Sequence, residues 1–178
     1  AGFAPTTYTP SYGMAESTLF ISSKAKTEVV GTLSVDEAGL RRGEAEPAEL
    51  GAPGSQRLVS CGKAVDPQEI AVVSLETLTE QPPLRVGEIW LRGRNVSPGY
   101  WRRPEATLEV FGATPAGEAG PPFLRTGDLG FLHQGELFLA GRLKDVIIAR
   151  GHKHHAIDIE RTVERSHPAL AAGGCAAF

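Results

Sequence analysis

Apolar and polar positions alternate over short distances through most of the chain, which predicts strands more often than helices. Residues 57–61 and 69–73 are compact β-forming runs, and residues 86–93 alternate as a half-buried strand should. Residues 123–126 and 130–133 bracket Gly127 and Asp128 as two further strands, and Gln134-Gly135 predicts a hairpin turn into residues 136–140. Residues 17–22 and 28–35 also carry strand-forming side chains. The texture changes near the end. Residues 146–149 predict a short strand and residues 157–166 a helix, with Ile159 and Val163 four apart on one face and His167-Pro168 stopping it.

Short strands separated by Gly and Pro turns predict a small, distorted antiparallel barrel over the first part. The strand–loop–helix order after residue 143 predicts the opening of a second, small α+β domain. Residues 24–55 stand apart, rich in Glu, Gly, Ala and Pro with charged clusters, and are expected to be an inserted surface loop or mini-motif.

Composition narrows the function classes. The 178 residues are 41% hydrophobic and 22% charged with a net charge of -3, an ordinary globular balance. Such a charge gives no footprint for nucleic acid or an anionic membrane. No apolar stretch approaches the length of a membrane span, and the first residues lack the pattern of a signal peptide. Cys61 and Cys175 suit reduced thiols in a cytoplasmic enzyme. The last four residues, Cys175-Ala176-Ala177-Phe178, fit a prenylation pattern, but no polybasic stretch precedes them and the expectation is a turn running into a strand. His152, His154 and His155 lack the spacing of a zinc site.

Five motifs occur in one consistent order: Tyr-Gly-Met-Ala-Glu at 12–16, Gly-Glu-Ile-Trp at 87–90, Gly-Tyr-Trp at 99–101, Arg-Thr-Gly-Asp at 125–128 and Gly-Arg-Leu-Lys-Asp at 141–145. Together they resemble the superfamily of acyl-CoA synthetases, peptide-synthetase adenylation domains and luciferases. Within it, residues 12–16, 59–62, 86–90, 123–130 and 150–160 look most like fatty acyl-AMP ligases. The resemblance covers essentially the whole chain. It implies an α/β to α+β fold, with residues 1–143 the C-terminal portion of a large adenylate-binding domain that includes the distorted barrel. Residues 144–178 would then be the hinge and the beginning of the small C-terminal domain.

The resemblance also implies a chemistry: ATP and Mg²⁺ as cofactors, a fatty acid as substrate, an acyl-adenylate as product and a carrier-protein phosphopantetheine as acceptor. Ser11, Tyr12, Gly13 and Met14 would bind the nucleotide, with an aromatic face for adenine at Tyr12 and close backbone approach at Gly13. Glu16 is a hard oxygen ligand suited to Mg²⁺ shared with phosphate oxygens. Asp128 can accept hydrogen bonds from vicinal ribose hydroxyls. Arg142 is a permanent cation for ribose or phosphate oxygens, and Lys144 occupies the hinge position about which the small domain rotates. Gly99, Tyr100 and Trp101 are expected to be architectural, a turn with an aromatic pair that packs.

Where fatty acyl-AMP ligases carry Gly-Arg-Asn-His-Tyr-Pro-x-Asp-Ile-Glu, residues 151–160 keep His154, Asp158 and Glu160 but depart at Lys153, His155 and Ala156. An extra segment after the Tyr-Gly-x-Ala-Glu motif marks acyl-AMP over acyl-CoA ligases, and residues 24–55 stand where it belongs. The family's phosphate-wrapping loop should precede Ala1 and its adenylation lysine should follow Phe178. The chain is thus expected to be an internal fragment, inactive alone. Two other readings are a fragment of an acyl-CoA synthetase or amino-acid adenylation domain, and a non-catalytic β-rich binding module.

Overall fold

A computed structural model describes residues 2–149, 152–170 and 174–177. They fall into two compact units, Ala1–Ala140 and Gly141–Phe178. In chain order the strands and helices are β1 (Ser11–Tyr12), β2 (Ser22–Ser23), β3 (Thr32–Asp36), α1 (Glu37–Arg41), β4 (Ser55–Val59), β5 (Lys63–Ala64), β6 (Glu69–Val73), β7 (Gly87–Arg92), α2 (Pro104–Phe111), β8 (Leu124–His133), β9 (Glu136–Arg142), β10 (Val146–Ala149), β11 (His152–His155) and α3 (Ala156–Ser166). One-turn 3-10 helices occupy Ala15–Ser17 and Leu143–Asp145.

The described strands form a four-stranded sheet ordered β6-β7-β8-β9, a three-stranded sheet ordered β1-β2-β5, and the pairs β3-β4 and β10-β11. The barrel expected from strand spacing is not closed by ladder pairing among the described residues. Single bridges such as Ser60↔Phe138 and Glu44↔Arg85 stand between the sheets instead. The β8–β9 hairpin is the one the turn chemistry predicts: Gln134 has φ 53° and Gly135 φ 77°, both left-handed, as a two-residue type I′ connection requires.

Three buried clusters hold the first unit. Tyr12, Ile21, Ile89, Leu91, Leu124 and Leu137 form one, and Ala71, Val73, Trp90 and Phe123 another. Because β7 lies between them, Ile89 and Leu91 enter the first while Trp90 enters the second, and the strand is buried on both faces. The expectation of a half-buried strand is thereby corrected. Its polar position, Glu88, is 3% exposed rather than solvated.

The third cluster changes the reading of residues 24–55. Val35, Leu40 and Ala45 from this segment pack with Leu58, Phe131 and Phe138, whose rings stack 5.3 Å apart and nearly parallel. The segment is a folded motif. β3 pairs with β4 from Thr32↔Val59 to Asp36↔Ser55, and Asp36 caps α1 by accepting the Gly39 N–H at 2.6 Å. A side-chain cap satisfies a donor that the first helical turn would otherwise leave unpaired.

Other expectations are also revised. Residues 17–22 are no strand: Thr18 and Leu19 have φ of 54° and 80°, a left-handed turn that only β2 leaves in extended form. Helix α2 begins with Pro104 at its first position, where the missing N–H costs no hydrogen bond, and β11 pairs antiparallel with β10 where a loop was expected. Residues 174–177 form no strand, and the Ala177 N–H donates to Glu160 Oε1 at 3.0 Å. Along α3, Ile159 is half-buried and Val163 is 41% exposed. Gly151 and the side chains of Lys153, His155 and Asp158 lie outside the described residues. Among the described residues, no helix is long and apolar enough to cross a membrane.

Candidate functional site

The sequence segments Thr126-Gly127-Asp128 and Ser11-Tyr12 meet at an irregularity of the main sheet. Strand β8 runs without a break through the stretch expected to separate two strands, but its register against β7 slips. Between the pairs Trp90↔Arg125 and Glu88↔Leu129, β7 advances by two residues and β8 by four. A bulge of this kind takes residues out of the ladder and re-aims their side chains. Gly127 turns it with φ 73°, a conformation glycine adopts without steric penalty.

Glu88 holds the bulge from below. Its Oε1 accepts the Gly127 N–H at 3.1 Å and its Oε2 accepts Arg125 Nε at 2.9 Å. A second guanidinium nitrogen of Arg125 stands 2.8 Å from the same carboxylate, whose side chain is 4% exposed. A buried carboxylate is tolerable when a cation and a backbone donor both satisfy it. Thr126 completes the frame, its hydroxyl donating to the Ile89 carbonyl at 2.7 Å and accepting the Asp128 N–H at 3.0 Å. Asp128 is thus fixed at its backbone, and the Tyr12 hydroxyl donates to its Oδ2 at 2.6 Å. Tyr12 is 7% exposed, its ring within the first core cluster. The two residues are 116 positions apart in sequence.

Beyond β1 the chain folds tightly on itself. The Leu19 N–H donates to the Met14 carbonyl at 2.9 Å, and the Leu19 carbonyl oxygen lies 1.6 Å from where a Cβ on Gly13 would stand. Gly13 therefore permits a close approach by its own chain. Glu16 rides in the 3-10 turn that this loop creates. Its carbonyl accepts the Ser97 N–H at 2.8 Å, and its Oε1 accepts the Tyr100 hydroxyl at 2.8 Å. Asn95 ties the same two segments, donating from Nδ2 to the Ser17 carbonyl at 2.7 Å while its own carbonyl accepts Thr18 Oγ1 at 2.8 Å. Burial pushes the Tyr100 hydroxyl above the usual tyrosine range, and the hydrogen bond and charge of Glu16 push the same way.

Ser11 is exposed and pairs with Ser23, while Met14 is half-buried against the Tyr12 cluster. Arg142 closes β9, and Lys144 lies exposed in the following 3-10 turn; both belong to the second unit. Trp101 does not pack as the aromatic-pair expectation had it. Tyr100 meets Phe111 edge-on at 5.1 Å, but Trp101 is 85% exposed, with the Arg102 guanidinium 5.7 Å from its ring centre.

Among the described residues no cluster of three or more His, Cys, Asp or Glu side chains could hold a metal ion. Glu16 presents a single carboxylate from its 3-10 turn, a donor type compatible with a cation that takes its other ligands from phosphate and water. Sequence reasoning missed Glu88, Arg125, Tyr100 and Asn95 as parts of the site. Glu88, Arg125 and Tyr100 sit inside motifs and Asn95 lies between two of them, but the pairing of one motif with another is set by sheet register and loop packing.

The family model of AMP-binding enzymes matches residues 3–101, and the chain belongs to that family. It is 43% identical, over 95% of its length, to the medium-chain-fatty-acid–[acyl-carrier-protein] ligase JamA of Moorena producens, of which it covers 29%. It is 41% identical, over 90% of its length, to the long-chain-fatty-acid–AMP ligase FadD26 of Mycobacterium tuberculosis, of which it covers 28%. The crystal structure of the fatty acid AMP ligase from Legionella pneumophila superposes with a TM-score of 0.76 at 37% identity, covering 99% of this chain and 30% of that one. The chain thus spans less than a third of the length of these relatives.

Proposed function

We propose that this chain is part of an ATP-dependent ligase that activates a fatty acid as its acyl-adenylate and passes the acyl group to the phosphopantetheine thiol of a carrier protein. The observation that carries the reading is Asp128, set on a glycine-turned bulge, braced by Glu88 and Arg125, and capped by the Tyr12 hydroxyl at 2.6 Å. A carboxylate fixed in this way is ready to accept hydrogen bonds from ribose hydroxyls without reorganising first.

In the first step a carboxylate oxygen of the fatty acid attacks the α-phosphorus of ATP and pyrophosphate leaves. In the second the thiol attacks the acyl carbon and AMP leaves. Ser11, Tyr12, Gly13 and Met14 form the adenosine side, and Asp128 holds the ribose. Tyr12 does so through its hydroxyl and backbone and not the expected ring face, since the ring is buried in the core. Glu16 would hold Mg²⁺, which would supply charge neutralisation for the phosphates. Arg142 offers its guanidinium to ribose or phosphate oxygens as charge moves toward pyrophosphate, and Lys144 is the hinge of the small domain. The folded character of residues 24–55 favours the carrier-protein acceptor over coenzyme A, because a packed motif can restrain domain motion where a loose loop cannot. Cys61 and Cys175 are free thiols, which suits a cytoplasmic enzyme.

The full-length protein, given ATP, Mg²⁺ and a fatty acid, is expected to form acyl-AMP detectable by mass spectrometry. Holo carrier protein should then become acylated while coenzyme A stays free. Acyl-CoA as the main product would transfer the chain to the acyl-CoA synthetases, and no adenylate at all would favour a non-catalytic module.

A further inference from the structure

We infer that Tyr100 is a positioning residue for Glu16: its hydroxyl pins one oxygen of that carboxylate and so leaves the other presented to a phosphate-bound cation. The inference rests on the metal role proposed above for Glu16.

Three observations lead to it. First, among the described residues the Tyr100 hydroxyl is the one hydrogen-bond donor recorded on the Glu16 carboxylate, at 2.8 Å across 84 positions of sequence. A glutamate side chain has three torsions to fix, and a single strong donor at its end fixes them together. Second, the loop bearing Tyr100 is built onto a helix. The ring meets Phe111 of α2 edge-on at 5.1 Å with planes 80° apart, and the Tyr100 N–H donates to Thr107 Oγ1 at 2.9 Å. Gly99, at φ 142°, makes room, since a Cβ there would come within 2.2 Å of Thr107. Third, the ring contributes little to the core. Tyr100 is 38% exposed and its neighbour Trp101 is 85% exposed. Phenylalanine would serve the contact with Phe111 equally well, so the hydroxyl is best explained by its acceptor.

The backbone of the same loop supports the side chain it pins. The Ser97 N–H donates to the Glu16 carbonyl, so the loop holds Glu16 at both the main chain and the carboxylate. Helix α2 thereby acts on the metal-facing residue without touching it.

The test uses the full-length protein and reads ATP affinity by calorimetry as Mg²⁺ is stepped, with metal-free AMP binding and thermal stability as controls. Tyr100→Phe should raise the Mg²⁺ concentration for half-maximal enhancement by about three- to tenfold, the loss expected for one ordinary, solvent-exposed hydrogen bond. Metal-free AMP binding and melting temperature should stay as in wild type. In a Glu16→Gln background the same substitution should have no further effect on the Mg²⁺ response. An unchanged Mg²⁺ midpoint in Tyr100→Phe, or an equal shift in the Glu16→Gln background, overturns the inference while leaving the proposed function standing. A wild-type protein whose ATP affinity ignores Mg²⁺ overturns both.

Discussion

Asp128 and Tyr12 both stand in motifs, and their side chains meet, but what fixes the pair is a contact between two other motifs. Glu88 carries the bulge, and its partners Arg125 and Gly127 are 37 and 39 positions away, so nothing local announces the contact. Alternation along residues 86–93 even pointed Glu88 toward solvent. Glu88→Ala would leave the Gly127 N–H without its partner and Arg125 half-buried beside an apolar gap. Urea denaturation of the full-length protein should then show a loss near the lower end of about 3–5 kcal/mol, since Arg125 keeps partial access to water. Tyr12→Phe keeps the buried ring and removes only the donor to Asp128. It should lower kcat/KM for ATP by about tenfold with little change in stability, as steady-state kinetics beside a melting curve would show. Burial also pushes the Cys61 thiol up from its ordinary value. The thiolate fraction at a given pH is therefore smaller in the native state than after unfolding. Iodoacetamide should label Cys61 more slowly in the native protein, with a rate still climbing where the unfolded control has begun to level.

At the scale of elements, the strands of the main sheet were readable and the short helices were not. β6, β7 and the β8–β9 hairpin follow from β-forming runs and a Gln-Gly turn. The five residues of α1 are too few to show a helical period, and the one local sign of it was Asp36 as a cap. α2 was signalled by Pro104 and Glu105 at its start, yet the eight residues offered no clean apolar stripe, with Leu108 74% exposed. Residues 24–55 read as either a surface loop or a mini-motif, because Glu, Gly, Ala and Pro dominate their composition, and the structure shows the motif. Their core contribution rests on a few positions, Val35, Leu40 and Ala45, whose partners Phe131 and Phe138 lie far along the chain. Leu40→Ala should therefore destabilise the full-length protein by about 2–5 kcal/mol, the ordinary cost of emptying a packed leucine site. A cost near zero in denaturant titration would return the segment to the status of a loose loop.

For the whole molecule, the family was readable from the order of five motifs, whereas the proposed activity has been named only for relatives more than three times as long. The chain covers 28–30% of the length of the relatives described above. The isolated chain is therefore expected to support no fatty-acid-dependent ATP–pyrophosphate exchange, since it corresponds to less than a third of those enzymes. The contribution proposed for it is the nucleotide-side wall. Exchange of labelled pyrophosphate into ATP by the full-length protein, wild type beside Asp128→Ala, tests that contribution most directly. Fatty-acid-dependent exchange in the wild type, with kcat/KM for ATP reduced by about a hundredfold or more in the variant, is the predicted result. Equal exchange by the two proteins, or none by the wild type with any fatty acid, would contradict it.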